Sequence, residues 1–298
     1  MTLAGEFDEI VVETDRLAFP ALAAGAGPPV VCWHGFPDHP ATFWPMAEYL
    51  VAAGRRVIAP FLRGLHPATA GAVRYADGLT LAADAAAVAA AVAAMTGTAG
   101  AVDMIGHDIG AGMVQRVAAA WPERLGRGVT MAVPPPATLP GLFADPAQLQ
   151  RSFYIWLFQL GDLAEAVLER DRRLIEYLWQ TWSPGLGDIP HRELIRTLYA
   201  DPVFIRNALR IYRANLDTTL HDPDLSGLAS RTEVTASKPL MLLGGANDGC
   251  IDPRFLRDAQ PGLAAGSRIE ILANAGHFVH LEHPEAVARL ALQWFAAD

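Results

Sequence analysis

The stretch from Val102 to Trp121 combines an apolar run, a tight turn and a helical pattern. The apolar run breaks at Gly106-His107-Asp108-Ile109-Gly110, and helical periodicity then continues to Trp121, just before Pro122. Glycines on both sides of the turn let the backbone pass close behind Asp108 and let the helix begin without a Cβ clash. This pattern predicts that the Asp108 side chain projects from a strand end over a helix N-terminus, where the helix dipole favours negative charge.

Size and charge limit what the rest of the chain can be. With 298 residues, 52% of them apolar and 18% charged, the chain can form one large α/β domain with an insertion, or two small domains. The net charge of −9 is dispersed along the chain and disfavours a nucleic acid or an anionic membrane as partner. We therefore expect neither partner.

Three features predict a cytoplasmic location. Cys32 and Cys250 each lie in an apolar context, which is typical of buried free thiols in a reducing compartment. The N-terminal residues show neither a basic region nor an apolar signal core. The alanine-rich segment from Leu81 to Met95 contains Asp84 and is too short and weakly hydrophobic to span a bilayer, so we predict a helix that lies against a sheet.

Strand and helix patterns alternate at both ends of the chain and predict a doubly wound, mostly parallel sheet after an opening hairpin. Between Pro134 and residue 235 the alternation stops, and aromatic-rich helical patterns take its place, including one predicted helix from Leu163 to Trp182. We interpret this as an α/β core made of residues 1–133 and 236–298, interrupted by a helical cap of residues 134–235.

Three polar sites follow predicted strands of this sheet. Asp108 follows one strand, Asp248 follows Leu240 to Leu243, and His277 follows Ile269 to Leu272. The carboxyl ends of parallel strands gather at one edge, so these side chains are expected to meet there. Asp252 competes for the position of the second acid, but Asp248 is nearer the strand end.

The order of these residues resembles the α/β-hydrolase superfamily over nearly the full chain, and within it the branch with an aspartate nucleophile. That branch contains epoxide hydrolases and haloalkane or haloacid dehalogenases. The resemblance implies the α/β-hydrolase fold, with Asp108 as nucleophile, His277 as base and Asp248 as the acid that orients it. It also implies an oxyanion hole from the backbone N–H groups of Phe36 and Ile109, and no cofactor or metal.

The chemistry of aspartate is consistent with this branch. A carboxylate is already ionised at neutral pH, so Asp108 can attack a saturated carbon that bears a leaving group and form an alkyl ester. His277 is then available to activate water against the ester carbonyl. The first product would be an alkyl-enzyme ester, cleaved in a second step.

Two tyrosines in the predicted cap favour an epoxide oxygen over a halide as the leaving group. Tyr154, which stands before Phe158-Gln159, and Tyr212, which precedes Arg213, resemble the paired acids of epoxide hydrolases. This resemblance implies that a vicinal diol is formed from an epoxide. Phe36, Ile109 and Trp156 are expected to form the pocket walls and bind substrate.

Two alternatives remain open. A dehalogenase would use the same triad, but Ile109 and Phe36 lack the side-chain donors that haloalkane dehalogenases use for halide, and Gly112 lacks the arginine of haloacetate dehalogenases. Trp156 and Tyr212 do resemble the cap residues that bind halide in haloacetate dehalogenases, but the histidine beside that tryptophan is Ile155 here. The absent arginines favour a small, neutral, apolar substrate. The other alternative is a ligand-binding homologue without activity.

The spacing of His277, His280 and His283 does not predict a metal site. The sequence leaves open whether the chain forms a homodimer.

Overall fold

The computed structural model describes residues 7–170, 172–232 and 236–297. Its sheet has eight strands in the order β1-β2-β4-β3-β5-β6-β7-β8. The strands are β1 Asp8–Glu13, β2 Ala18–Ala24, β3 Pro29–Trp33, β4 Arg56–Pro60, β5 Val102–His107, β6 Leu125–Met131, β7 Leu240–Gly245 and β8 Arg268–Leu272. The β1–β2 hairpin and the β2–β4 pair are antiparallel, and every other pairing is parallel. The predicted mostly parallel sheet of an α/β-hydrolase fold is confirmed.

Helices cover both faces of the sheet. The core helices are α1 Trp44–Ala52, α2 Gly78–Thr96, α3 Ile109–Ala120, α12 Arg254–Arg257, α13 Val279–Glu282 and α14 Pro284–Phe295, and the remaining α-helices of the described residues lie between β6 and β7. Helices α1 and α14 pack together against one face, and α2 and α3 against the other. Every residue of the central strand β3 is buried, as expected for a strand covered on both sides.

Helix α2 is longer than the sequence predicts, because the Asp77 side chain caps it and accepts a hydrogen bond from the backbone N–H of Leu79. It ends at Gly97, which has a left-handed conformation. Its length and mean hydropathy of 1.7 would suffice to cross a membrane, so the prediction that this segment is too short is wrong. However, 67% of its most apolar window is buried inside the protein, which is typical of a core helix.

The helices between β6 and β7 lie over the carboxyl ends of the strands. They are α4 Leu139–Ala144, α5 Pro146–Arg151, α6 Phe153–Leu157, α7 Asp162–Glu169, α8 Arg173–Trp182, α9 His191–Leu198, α10 Pro202–Arg213 and α11 Ala229–Thr232. The segment from Leu163 to Trp182, which the sequence predicts as one helix, is split into α7 and α8. Arg172, immediately before α8, has a positive φ of 58°, and this backbone conformation cannot continue a right-handed helix.

Candidate active site

Asp108 lies in a strained turn between β5 and α3. Its φ of 53° and ψ of −116° are unusual for a residue other than glycine. The two flanking glycines make this turn feasible: a Cβ on Gly106 would lie 2.2 Å from the carbonyl oxygen of Gly110, and a Cβ on Gly110 would lie 2.0 Å from that of Trp33. The predicted strand–turn–helix geometry therefore presents the Asp108 carboxylate at the end of β5.

The two carboxylate oxygens of Asp108 have different neighbours. Oδ1 accepts a hydrogen bond of 2.9 Å from the backbone N–H of Phe36, and Oδ2 lies 3.6 Å from Nε2 of His277. Ile109 is the first residue of α3, so its backbone N–H has no intrahelical acceptor. Asp108 is thus placed between one backbone donor and one imidazole.

His277 is held from its other side by Asp248. Its Nδ1 lies 3.0 Å from Oδ2 of Asp248, while Oδ1 of Asp248 accepts hydrogen bonds from the backbone N–H groups of Cys250 and Ile251 at 2.7 and 3.0 Å. The carboxylate of Asp252 instead lies 3.6 Å from the guanidinium of Arg151. The structure therefore brings Asp248, and not Asp252, to the histidine.

The charges of Asp108, His277 and Asp248 change the pKa values of Asp108 and His277. Burial by itself raises the pKa of Asp108, but the close approach and charge of His277 lower it overall. Burial lowers the pKa of His277, but Asp248 and Asp108 outweigh burial and raise it to about 10. In the free protein at neutral pH, His277 is therefore a cation between two carboxylates.

A cavity of about 160 Å³ opens in front of Asp108. Asp108, Ile109, Tyr154 and Tyr212 all line it, together with mainly apolar side chains that include Leu81, Met113, Val133, Leu139, Leu142 and Phe143. The Tyr154 and Tyr212 rings meet edge to face with centroids 5.8 Å apart, and the Tyr154 hydroxyl lies 3.6 Å from Sγ of Cys250. Burial raises the pKa of both tyrosines well above 10, and the negative charge of Asp108 adds to this. Both hydroxyls therefore keep their protons.

Trp156 does not line this cavity, so the prediction that it forms a pocket wall is wrong. Its side chain is 43% exposed and packs against the Phe143 ring at 6.0 Å between centroids. Tyr154 and Trp156 are two positions apart on α6, which separates them by about 200° around the helix axis. When Tyr154 faces the cavity, Trp156 must face away from it.

The ring of Phe36 also lies outside the cavity lining. It is 1% exposed and packs edge to face against Phe158, Tyr199 and Tyr212. The part of Phe36 that reaches the site is its backbone N–H, so its predicted role as a pocket wall is wrong. Of the three predicted wall residues, Ile109 is the one that contacts the cavity.

Two residues between β6 and β7, which the sequence does not single out, support the loops that carry Asp248 and His277. The carbonyl oxygen of Trp182 accepts hydrogen bonds from the backbone N–H groups of both Gly249 and His277, at 3.1 and 2.9 Å. Buried Gln148 donates to the carbonyl oxygen of Cys250 and accepts from the backbone N–H of Asp252. A glutamine on a short helix ordinarily faces solvent, so nothing in the sequence pattern indicates this contact.

Several other histidines are buried near the site. Nδ1 of His34 bonds with the carbonyl oxygen of Gly35 at 3.0 Å, within its own loop. Nε2 of His107 donates to the carbonyl oxygen of His277 at 3.0 Å. His280 is buried against Thr42, whereas His283 is partly exposed, so the three histidines of the C-terminal pattern do not converge.

Asp38, His107 and His280 do lie close together, with one potential ligand atom from each within 4.8 Å of the others. The distance between Asp38 Oδ2 and His107 Nδ1 is 3.8 Å, whereas ligand atoms around a tetrahedral zinc ion are about 3.4 Å apart, given bonds of about 2.1 Å. Asp38 Oδ1 instead accepts a hydrogen bond of 2.7 Å from Nε2 of His191. Asp38 Oδ2, His107 Nδ1 and His280 Nδ1 have no hydrogen-bond partner among the described residues.

Comparisons with known proteins agree with this architecture. A family model described as the alpha/beta hydrolase family matches residues 30–290. The chain is 28% identical to the AB hydrolase superfamily protein YfhM of Bacillus subtilis, over 95% of this chain and 96% of that protein. Its structure is similar to that of epoxide hydrolase A from Mycobacterium thermoresistibile, with a TM-score of 0.75, 25% identity and coverage of 97% of this chain and 98% of the other.

A second solved structure has the same fold at lower identity. It is the epoxide hydrolase VrEH1 from Vigna radiata, with a TM-score of 0.77, 19% identity and 98% coverage of both chains. The matched family model spans β3 to α14, and so includes Asp108, Asp248 and His277. The chain therefore belongs to the alpha/beta hydrolase family.

Proposed function

We propose that this hydrolase opens an epoxide to a vicinal diol through an alkyl ester of Asp108. The observation that carries the proposal is the pair of buried, protonated tyrosines, Tyr154 and Tyr212, that line the same cavity as the Asp108 carboxylate. A strained ether oxygen is a poor leaving group unless an acid donates to it, and these two hydroxyls supply that acid. Epoxide hydrolase is also the name of two structurally similar proteins.

In the first half-reaction, a carboxylate oxygen of Asp108 attacks a ring carbon of the epoxide. A carbon–oxygen bond forms to Asp108, and the carbon–oxygen bond of the ring breaks. The ring oxygen takes a proton from Tyr154 or Tyr212 and becomes the first hydroxyl of the diol. The apolar lining excludes water that would compete for these donors.

In the second half-reaction, water attacks the carbonyl carbon of the Asp108 ester. His277 removes a proton from this water through Nε2, and Asp248 stabilises the cation that forms. The developing oxyanion receives hydrogen bonds from the backbone N–H groups of Phe36 and Ile109. The ester bond then breaks, the alkoxide takes the remaining proton of the attacking water to give the second hydroxyl, and the carboxylate of Asp108 and the imidazolium of His277 are restored.

The charge of Asp108 also controls when His277 acts. While Asp108 is ionised, it helps to raise the pKa of His277 to about 10, so the histidine carries a proton. Alkylation turns Asp108 into a neutral ester and removes that contribution, so the pKa of His277 falls. The proton that His277 then loses returns to the tyrosinate left by the first half-reaction, so the base is released only when water must be activated.

The exposed position of Trp156 weakens the dehalogenase alternative. By resemblance, Trp156 would help bind the departing halide, but its indole lies outside the cavity.

We propose further that residues 134–235 form the cap, because this segment supplies both tyrosines and closes over the strand ends.

Intact-protein mass spectrometry of a His277→Gln variant tests the function. Without the base, an ester of Asp108 should persist, and incubation with terminal and internal epoxides should add the mass of a whole epoxide. Addition of a haloalkane less hydrogen halide would instead support dehalogenation. An Asp108→Asn, His277→Gln double variant should show neither adduct, and a folded His277→Gln protein that gains no mass would contradict the proposal.

A further inference from the structure

The side chain of Arg116 reaches the catalytic cavity from α3. It is partly buried and lines the cavity in front of Asp108. The helix carries Arg116 two turns beyond Asp108, but long side chains on a helix point back towards its N-terminus. Nη1 of Arg116 accordingly donates to the carbonyl oxygen of Gly112 at 3.1 Å, one turn closer to Asp108.

Two glycines leave the space that the guanidinium occupies. A Cβ on Gly112 would lie 3.0 Å from Nη1 of Arg116, and a Cβ on Gly78 would lie 2.9 Å from its Cζ. Side chains at either position would crowd the guanidinium.

Few protein groups compensate the positive charge and the hydrogen-bond donors of the Arg116 guanidinium. Within residues 7–170, 172–232 and 236–297, the carbonyl oxygen of Gly112 is its one hydrogen-bond acceptor, and Arg116 makes no ion pair. The carboxylate of Asp77 contributes charge from a distance, but it already accepts from the backbone N–H groups of Leu79 and Thr80. Because a guanidinium has five N–H donors and stays charged, most of its donors lack a protein partner.

Arg116 also stands where two spaces meet. The inner cavity of about 160 Å³ and an outer groove of about 590 Å³ share Gly78, Arg116 and Asn215 in their linings. The inner space is mainly apolar, whereas the outer groove contains polar and acidic side chains such as Asp77 and Asp222. A molecule with its reactive end at Asp108 and its chain directed outward would pass the guanidinium.

We propose that Arg116 binds a carboxylate of the substrate, so that the enzyme acts on epoxides that carry a carboxylate on a short alkyl chain. The identity of the reacting group rests on the proposed function. Gly112 is four residues from Asp108, or about 6 Å along the helix axis, which corresponds to about three to five carbon atoms between the epoxide and the carboxylate. A guanidinium binds a carboxylate through paired hydrogen bonds, and the acidic outer groove disfavours a more highly charged anion. This departs from the neutral substrate that the sequence predicts.

Two epoxides of equal length, 5,6-epoxyhexanoate and 5,6-epoxyhexanamide, test the proposal. The measured quantity is the ratio of kcat/KM for the carboxylate to kcat/KM for the amide. A charged hydrogen bond predicts a ratio of about 10 to 100 in the wild type. In Arg116→Met the ratio should fall to about one or below, and Arg116→Lys should retain part of the preference because it keeps the charge without the paired donors.

Arg206→Met is the matched control, because it removes a half-exposed arginine of α10 whose ion pair with Glu169 lies outside the cavity. This variant should keep the wild-type ratio. Calorimetric titration of the wild type with hexanoate and hexanamide gives a second measurement that needs no turnover, and hexanoate should bind at least about tenfold more tightly. Circular dichroism establishes that each variant is folded.

The outcomes separate this proposal from the proposed function. A wild-type ratio near one, or a folded Arg116→Met protein with the wild-type ratio, overturns the role of Arg116, even if both epoxides form an ester with Asp108 in His277→Gln. If neither epoxide forms that ester, but hexanoate binding is lost in Arg116→Met, the carboxylate site stands and the epoxide chemistry is wrong.

Discussion

Nε2 of His277 lies 3.6 Å from Oδ2 of Asp108, so the group that we propose as base is in direct contact with the group that we propose as nucleophile. Burial opposes the charged imidazole, but Asp248 and Asp108 more than offset it and raise the pKa of His277 to about 10. The protonation of His277 therefore depends on the charge of Asp108.

The Asp108→Asn variant should consequently have a His277 with a lower pKa than the wild type. The amide has a similar shape but no charge, so it removes one of the two carboxylates that favour the imidazolium. Titration of the imidazole signals by NMR measures this change. Asp252→Asn is the control, since the Asp252 carboxylate lies against Arg151 rather than His277. The same His277 pKa in Asp108→Asn and the wild type would contradict the proposed switch.

The raised pKa also predicts how stability depends on pH. The folded-state pKa of about 10 lies above the ordinary histidine value of 6.5, so the folded state binds the proton more tightly than the unfolded state. The resulting stabilisation is fully present below about pH 6.5 and is lost as the pH rises through about 10. Urea unfolding of the wild type and His277→Gln at several pH values measures it as the difference between the two free energies of unfolding. A difference that does not shrink towards pH 10 would show that the raised pKa is wrong.

Replacement of the cavity tyrosines should slow formation of the ester and not its hydrolysis. Tyr154→Phe and Tyr212→Phe each remove one donor to the epoxide oxygen, and the double variant should form the ester at least about 100-fold more slowly. Stopped-flow fluorescence can follow this step, because the ring of Trp182 lies 5.0 Å from those of both Tyr154 and His277. Tyr177, which is 52% exposed, provides the matched Tyr→Phe control. Wild-type ester formation in the double variant would exclude both tyrosines as acids.

Truncation of Trp156 should leave the chemistry nearly unchanged. Its indole faces solvent beside Phe143, so Trp156→Ala should alter kcat/KM by no more than about twofold, the range expected for a surface substitution. The measurement uses the same epoxide as the tyrosine series. A loss of tenfold or more would return Trp156 to the substrate site and strengthen the dehalogenase alternative.

The turn that presents Asp108 should not tolerate a larger residue at Gly110. A Cβ there would lie 2.0 Å from the carbonyl oxygen of Trp33, so the start of α3 would have to move away from the end of β3, and Gly110→Ala should lower the free energy of unfolding by about 3 kcal/mol or more. Gly141→Ala is the control, because a Cβ at this position of α4 meets nothing within 4 Å and should change stability by no more than about 1 kcal/mol. Equal stability of the two variants in chemical denaturation would contradict this account of the turn.

The arrangement of Asp108, Asp248 and His277 was accessible from the sequence because each follows an apolar strand of a parallel sheet. Strand periodicity and the glycines around Asp108 are local signals, and the geometry of a parallel sheet converts them into proximity. The choice of Asp248 over Asp252 follows from the same rule and agrees with the 3.0 Å contact to His277. Helix ends were less predictable, as the break between α7 and α8 shows.

The sequence alone thus determined the α/β architecture and the three side chains at the strand ends, since both depend on local patterns repeated along the chain. The tertiary structure decided which side chains of the helices between β6 and β7 face the cavity, because that depends on how each helix is rotated against the core. It placed Tyr154 inside and Trp156 outside, and it brought Gln148 against the acid loop. It also directed Arg116 back over Gly112 to the cavity, where the space left by two glycines, distant in sequence, accommodates its charge.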